Sequence, residues 1–260
     1  MEYIKYKNKY IISKNTTNMK NSIDAIINSN KSISISKTIL SNDDKQKIDQ
    51  LNIENKTYNF YGDLKSISVN DITDFLGSHD VSDIILSKIV FPFIDAANTS
   101  FGWLTIRTSL PNDQYDIPRW HCDGIYYESN EVQYKMVTTL LGPSTIYKEN
   151  SVELKDIYNK INKEKQSKIN IKDMNDILTI DKEYRPILDS AFNNNGHKTI
   201  TAENYDVIVF VVGDIDRCLI HSEPPINEKR LFLSIVVGTK NQIEDLSNRW
   251  KVDMNKSIIT

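Results

Sequence analysis

The second half of the chain is made of short apolar runs that end in glycine or proline turns, and this pattern limits the fold most strongly. The longer runs are residues 101–108, 132–141, 204–212 and 229–238, and shorter ones are 120–123, 144–147 and 217–221. They are rich in β-branched and aromatic side chains, which predicts β-strands. Gly142-Pro143 and Gly213-Asp214 close two of the runs. Many short strands with such turns predict a mainly β fold with flanking helices and a jelly-roll core.

The remaining segments predict helices around this core. Residues 1–98 form a mostly helical leader, in which Val69 to Leu76 is amphipathic and Gly77 ends the helix. A further leader helix is predicted to begin with Ser82 as its cap. The predicted organisation is the leader at 1–98, the core at 99–240 with a lysine-rich helical insertion at 149–192, and a helix with a tail at 241–260.

Composition excludes some classes of protein. Of 260 residues, 39% are hydrophobic and 26% are charged, which is typical of a soluble globular chain. The net charge of −3 does not favour nucleic acid as a partner. No apolar run approaches the length of a membrane span, and the N-terminal residues lack the apolar segment of a signal peptide. We therefore expect a soluble, cytoplasmic protein with no membrane partner.

His121-Cys122-Asp123 is the segment that carries chemistry. In an extended backbone His121 and Asp123 point to the same side, because side chains alternate along a strand. His221 ends another strand-like run just before Pro224-Pro225 and is the best candidate for a third ligand. Two histidines and one carboxylate leave one side of a metal open, which suits a non-haem Fe(II) oxygenase.

The chain has only two cysteines, Cys122 and Cys218, so no disulfide framework or zinc-finger spacing exists. Each lies an odd number of residues from a proposed ligand histidine and should face away from the metal. They could be neighbours on the back of one sheet, but a disulfide between them is not expected in a cytosolic protein.

The pattern resembles the Fe(II)/2-oxoglutarate-dependent dioxygenase superfamily, whose members use a double-stranded β-helix. The matching features are H-x-D at His121 and Asp123, a distal histidine at His221, 98 residues after Asp123, and a cation on the last strand at Arg230. The segment 213–221 is also similar to the turn and strand before that histidine in the family. The resemblance covers roughly residues 99–240 and implies nothing about the leader.

The resemblance implies that Arg230 binds the distal carboxylate of 2-oxoglutarate. Family members often carry Ser or Thr two residues after this arginine, whereas this chain has Phe232 there and a hydroxyl only at Ser234. Lys135, with Thr139 on the same face of its strand, is an alternative or additional group for the carboxylate.

The resemblance further implies Fe(II) held by His121, Asp123 and His221, with 2-oxoglutarate and O2 as co-substrates. Hydroxylation, or demethylation through hydroxylation, is the expected outcome for a primary substrate that the sequence does not identify. Asp123 argues against a halogenase, which lacks this carboxylate.

Two other classes of function stay open at this point. A cupin-like metalloenzyme without 2-oxoglutarate would commonly use more histidine ligands, and the chain has only four histidines. A non-enzymatic jelly-roll binding module would carry the motif for structural reasons. The insertion at 149–192 could be a solvated helix pair or a lid over the substrate.

Overall fold

The computed structural model describes residues 10–12, 19–29, 31–38, 40–112, 116–169, 174–214 and 216–260, with backbone alone at 10–12, 174–176 and 178. Residue 215 and parts of the leader therefore lie outside the described residues. The helices are α1 (Met19–Ile27), α2 (Asn42–Asp49), α3 (Val69–Leu76), α4 (His79–Ile85), α5 (Phe91–Ala96), α6 (Val152–Lys168), α7 (Met174–Asn194) and α8 (Lys240–Trp250). The strands are β1 (Tyr10–Ile12), β2 (Ile33–Lys37), β3 (Lys56–Asp63), β4 (Phe101–Ser109), β5 (Gln133–Leu141), β6 (Ile146–Lys148), β7 (Thr199–Thr201), β8 (Asp206–Val212), β9 (His221–Ser222), β10 (Arg230–Val237) and β11 (Ser257–Ile259). None of the described helices is both long and apolar enough to cross a membrane.

The strand order shows that the core is a double-stranded β-helix. The larger sheet has the order β1-β2-β8-β5-β10-β4-β3-β11, and the smaller sheet has the order β7-β6-β9. From β4 onward the chain passes repeatedly between the two sheets, so that β5, β8 and β10 lie in the larger sheet and β6, β7 and β9 in the smaller one. This alternation closes two sheets into one roll and confirms the predicted jelly-roll core.

Buried apolar clusters separate the layers of the molecule. One face of the larger sheet, including Leu104 and Leu233, packs on the leader helices. The other face packs on the smaller sheet through residues such as Phe210 and Tyr147. Every residue of β8 is buried, because this strand is covered on both faces, and this explains its uninterrupted apolar sequence.

The leader contributes strands as well as helices. β1, β2 and β3 all join the larger sheet, and β11 from the C-terminal tail pairs with β3. The division at residue 98 stays a prediction, and the sheet runs across it. One helix start was misplaced: α4 begins at His79 with Ser78 as its cap, and Ser82 lies inside the helix, donating to the carbonyl of Ser78. Both serines fit the cap preference, and only the backbone decides between them.

The insertion folds as the helix pair α6 and α7. Its apolar side meets the back of the smaller sheet in a cluster of Trp120, Leu154, Leu188, Phe192 and Ile220. The sides away from the sheet are exposed and charged, as expected for an amphipathic pair.

Candidate metal centre

The roll brings His121, Asp123 and His221 together. One ligand atom from each residue lies within 4.8 Å of the others. The two histidines face each other across an isolated antiparallel bridge, in which each backbone N–H donates to the carbonyl of the other over 2.9 Å. The bridge places the two imidazole rings 4.3 Å apart, measured between their centroids.

Each imidazole is oriented by its own backbone. His121 Nδ1 lies 2.8 Å from the carbonyl oxygen of Arg119, and His221 Nδ1 lies 2.9 Å from that of Leu219. A carbonyl oxygen only accepts hydrogen bonds, so both Nδ1 atoms carry the proton and both Nε2 atoms keep a lone pair. This is the arrangement that fixes a metal-binding imidazole.

Asp123 points one carboxylate oxygen toward each ring. Oδ1 is 3.8 Å from Nε2 of His121, and Oδ2 is 3.8 Å from Nε2 of His221. Burial by itself would raise the pKa of Asp123, but Lys135 and the two histidines hold it well below its usual range. The carboxylate is therefore ionised at neutral pH.

Both histidines are neutral in this setting. Burial, the neighbouring His121 and Lys135 lower the pKa of His221 to about 3. Desolvation also lowers the pKa of His121, against the attraction of Asp123. Two unprotonated nitrogens and one carboxylate within 4.8 Å form a donor set that fits Fe(II) with one side open.

Arg230 lies at the start of β10 and is 1% exposed. Its guanidinium donates to the carbonyl of Pro143 over 2.9 Å and to Thr145 Oγ1 over 3.1 Å, and it lies 4.7 Å above the ring of Phe232. A buried, fixed guanidinium of this kind is suited to bind a carboxylate through two parallel hydrogen bonds.

Glu223 lies between Arg230 and Arg107. Its Oε1 is 2.5 Å from Nη1 of Arg107 but 3.4 Å from Nη1 of Arg230. Charge-assisted bonds of this type are typically about 2.7–2.9 Å long. Glu223 is thus bound mainly by Arg107, and its contact with Arg230 is loose.

The other predicted co-substrate residues are spread along the inner face of the larger sheet. Lys135 donates to Asp123 Oδ2 over 3.1 Å and so lies at the metal. Thr139 pairs with Phe232, and Ser234 pairs with Val137, between the metal and Arg230. Among the described residues, the guanidinium of Arg230 donates to Pro143, Glu223 and Thr145 rather than to Thr139 or Ser234.

The hydroxyl that Arg230 contacts comes from Thr145, which sequence reasoning missed. Residues 145 and 230 are brought together by the closing of the roll, and no spacing along the chain indicates this pair. Two residues after Arg230, Phe232 offers no hydroxyl, and its ring lies beneath the guanidinium, with the centroid 4.7 Å from Cζ.

Tyr147 was also missed. Its ring is completely buried and stacks 6.0 Å from the ring of His221. Its hydroxyl makes no well-formed hydrogen bond with any described residue, although Thr145 is close enough to influence it. Burial raises the pKa of Tyr147, Arg230 acts to lower it and Asp123 to raise it, so the ring lies within electrostatic range of both ends of the site. The alternation Thr145-x-Tyr147 in a short apolar run was the available signal.

An aromatic pair lies next to Lys135. The Tyr126 hydroxyl is 3.3 Å from Lys135 Nζ, and Trp103 packs edge-on against Tyr126 with a centroid distance of 5.9 Å. Trp120, in contrast, is a core residue with 4% exposure.

The two cysteines are neighbours joined by a hydrogen bond between their thiols, and both are free. A hydrogen bond from Cys122 lowers the pKa of Cys218 to about 7. Both residues line a cavity of about 260 Å³ together with Lys155 and Tyr158 of α6.

The fold is therefore a double-stranded β-helix. The candidate site inside it is a cluster of two histidines and one carboxylate. No family model matches the sequence, and no curated protein matches it either.

Among solved structures, the chain is similar to Kdo hydroxylase KdoO, a non-heme Fe(II) alphaketoglutarate-dependent dioxygenase, in complex with alphaketoglutarate and Fe(III). The identity is 8%, the TM-score is 0.46, and the match covers 95% of this chain and 96% of that one. It is similar to the alpha-ketoglutarate-dependent carbocyclase SnoK from nogalamycin biosynthesis at 10% identity and a TM-score of 0.43, over 94% of this chain and 96% of that one. HygX from Streptomyces hygroscopicus, with nickel and 2-oxoglutarate bound, matches at 9% identity and a TM-score of 0.38, over 85% and 87%. At these identities and scores the likeness carries no functional argument, and the function has to be argued from the site.

Proposed function

We propose that this chain is an Fe(II)- and 2-oxoglutarate-dependent dioxygenase that hydroxylates its substrate, or demethylates it through hydroxylation. The observation that carries the proposal is the convergence of His121, Asp123 and His221 in the same roll that buries Arg230. A metal centre and a carboxylate-binding guanidinium are the two groups that this chemistry needs.

His121, Asp123 and His221 would hold the metal through Nε2, one carboxylate oxygen and Nε2. Fe(II) bound there would supply the activation of O2 and the decarboxylation of the co-substrate. The protein keeps both imidazoles neutral and oriented, and it keeps the carboxylate ionised, so the ligands need no proton loss before they bind.

Arg230 is the group we assign to the distal carboxylate of 2-oxoglutarate. It lies at the far end of the inner face from Lys135, which pairs across the sheet with Val236. Thr145 and Phe232 fix the guanidinium of Arg230. Because its contact with Glu223 is loose, its terminal N–H groups can donate to a carboxylate. The Tyr147 hydroxyl is buried, has no well-formed partner among the described residues and is influenced by both Arg230 and Asp123, so we assign it as a further donor to the co-substrate.

Lys135 has a different role in this proposal. Its ammonium group contacts Asp123 and the Tyr126 hydroxyl at the metal end of the site. It would orient the Asp123 carboxylate and keep it ionised, while Tyr126 and Trp103 would border the primary substrate.

The experiment is a turnover assay with purified protein, Fe(II), 2-oxoglutarate and O2, in which succinate is measured. The proposal predicts succinate that depends on both Fe(II) and O2, and no succinate from the Asp123→Ala variant. Succinate is the readout because it forms from 2-oxoglutarate whatever the primary substrate is.

The alternatives give other results. A cupin-like metalloenzyme would bind the metal without any response to 2-oxoglutarate. A binding module would show neither succinate nor a thermal shift with the metal and 2-oxoglutarate together.

A further inference from the structure

The segment that carries His121 and Asp123 has two faces, and the helical insertion covers the one that points away from the metal. We call residues 119–123 the carrier segment. His121 and Asp123 face the metal centre, whereas Trp120 and Cys122 face α6 and α7. The insertion therefore contacts the back of the carrier segment.

Few backbone hydrogen bonds join the carrier segment to neighbouring strands. Among the described residues they are the bridge between His121 and His221 and a bond from the N–H of Gly213 to the carbonyl of Asp123, and both leave the N–H of Cys122 on the open edge. Edge groups of this kind need a partner from outside the sheet. The carrier segment thus depends on contacts other than strand pairing.

The insertion supplies those contacts from three side chains. The Tyr158 hydroxyl accepts the backbone N–H of Cys122 over 3.0 Å. Asp189 Oδ1 accepts the indole N–H of Trp120 over 2.8 Å, and Asp181 Oδ2 lies 3.3 Å from Nε of Arg119. Asp181 is itself buried and paired with Arg185 over 3.0 Å, which fixes it in the helix pair.

These contacts act on the metal ligands through the backbone. The ring of His121 is oriented by the carbonyl of Arg119, and the N–H that Tyr158 accepts lies between the two ligands in the chain. A displacement of this backbone moves one nitrogen and one oxygen of the donor set together. Hydrogen bonds behind a ligand typically change metal affinity about 10–100-fold.

We propose that Tyr158 and Asp189 are positioning residues. In this proposal the insertion is a brace, which holds the carrier segment in place from behind, rather than a lid over the substrate. The inference rests on the proposed function only through the metal site. Neither residue touches the metal or the co-substrate.

The test uses Tyr158→Phe in the full chain, with Co(II) alone as the probe. Affinity is measured by titration calorimetry, and the visible spectrum of bound Co(II) reports the ligand geometry. We expect Co(II) affinity to fall about tenfold and the Co(II) spectrum to shift.

The matched control is Tyr184→Phe. Tyr184 is a buried tyrosine of the same insertion, and its hydroxyl donates to Glu164 over 2.8 Å, away from the carrier segment. This variant loses the same group from the same helix pair, so it should bind Co(II) with wild-type affinity and spectrum.

Equal Co(II) affinity and spectrum in wild type and Tyr158→Phe would overturn the brace alone. Wild-type protein that binds no Co(II) would overturn the proposed function and the brace with it. If Tyr158→Phe does not fold, Asp189→Ala replaces it, because it removes the carboxylate that accepts the Trp120 indole N–H and leaves the carrier segment itself unchanged. The same tenfold loss supports the brace, and wild-type affinity overturns it.

Discussion

At the scale of single residues, the metal centre depends on two imidazole rings that stay neutral beside a carboxylate, the ring of His221 buried and that of His121 partly exposed. Both rings donate Nδ1–H to a carbonyl two residues earlier in their own chain segment. This leaves both Nε2 lone pairs free for a metal. The same burial that prepares the ligands makes the metal-free protein sensitive to acid.

The stability of the metal-free protein should therefore fall as pH decreases from 6.5 toward 3. The pKa of His221 is about 3 in the folded protein, against 6.5 for an unperturbed imidazole. Below pH 6.5 His221 binds a proton in the unfolded chain but not in the folded chain, so unfolding is favoured. We expect a loss of about 2 kcal/mol between pH 6.5 and 4.5 from this group, measured by urea unfolding.

The control for this prediction is His221→Gln, which cannot titrate. Its unfolding free energy should fall less steeply over the same pH range. Identical slopes for wild type and variant would show that His221 is not held neutral by the fold.

Arg230→Gln should raise the KM for 2-oxoglutarate about 100-fold, because it removes the buried guanidinium that is assigned to the distal carboxylate. Lys135→Gln should leave this KM largely unchanged, because Lys135 contacts Asp123 at the metal end. Steady-state succinate formation measures both, with circular dichroism to verify folding. The reverse ranking of the two variants would assign the carboxylate to Lys135.

Tyr147→Phe should weaken 2-oxoglutarate binding about tenfold, since it removes one hydrogen bond to the co-substrate. The metal-free variant should be as stable as wild type or more so, because the hydroxyl has no well-formed partner there. Thermal unfolding and 2-oxoglutarate titration measure the two effects.

Tyr58→Phe is the matched control for Tyr147. Its hydroxyl is also buried without a partner among the described residues, but it lies on the leader side of the larger sheet. The variant should leave 2-oxoglutarate binding unchanged. Equal 2-oxoglutarate affinities of Tyr147→Phe and wild type would remove Tyr147 from the site.

The sequence predicts the residues of the centre better than their surroundings. H-x-D and a histidine before a proline pair are local patterns, and the structure brings His121, Asp123 and His221 together. Thr145 and Tyr147 depend on how the two sheets face each other, which side-chain alternation within one strand does not determine. The sequence therefore offered Ser234, Lys135 and Thr139 as groups near the carboxylate, whereas the hydroxyl that Arg230 contacts is that of Thr145.

At the scale of elements, the turn between β5 and β6 builds the position of Arg230. Gly142 has a φ of +76°, and the carbonyl of Pro143 accepts a hydrogen bond from Arg230. A Cβ at Gly142 would lie 2.3 Å from the carbonyl oxygen of Lys229 and 3.0 Å from Cα of Arg230. The glycine thus allows the turn to approach the start of β10.

Gly142→Ala should therefore lower the free energy of unfolding by more than the strain of a positive φ alone would. Gly77→Ala is the control, because Gly77 has a φ of +71° but nothing within 4 Å of an added Cβ. Gly77→Ala should lose about 1 kcal/mol of unfolding free energy. Gly142→Ala should lose more and should also raise the KM for 2-oxoglutarate. Equal losses of unfolding free energy in the two variants, with an unchanged KM, would show that the turn does not position Arg230.

Element boundaries in the smaller sheet were the least predictable feature. Residues 120–123 and 217–221 were predicted as strands, but the first forms only a bridge at His121 and the second pairs only at His221 and Ser222. A strand is defined by its partners, and here α6 and α7 replace a neighbouring strand as the support. Long apolar runs such as β8 and β10 were predicted closely, because burial on both faces leaves a continuous signal.

At the scale of the whole molecule, the leader helices, the larger sheet, the smaller sheet and the insertion form successive layers with apolar clusters between them. The metal centre lies between the two sheets: His221 belongs to the smaller sheet, and the segment with His121 and Asp123 is bridged to it. The larger sheet contributes Lys135 and Arg230 from opposite ends of its inner face. The closing of the roll brings the metal ligands and the guanidinium of Arg230 into one site.

Anaerobic titration of the protein with Fe(II) and 2-oxoglutarate tests this account most directly, because it needs neither a primary substrate nor turnover. Chelation of one Fe(II) per chain by 2-oxoglutarate produces a visible metal-to-ligand charge-transfer band. The account predicts a band that saturates at one iron per chain and is lost in Asp123→Ala and His221→Ala. The absence of any band in folded wild-type protein, or an unchanged band in both variants, would contradict it.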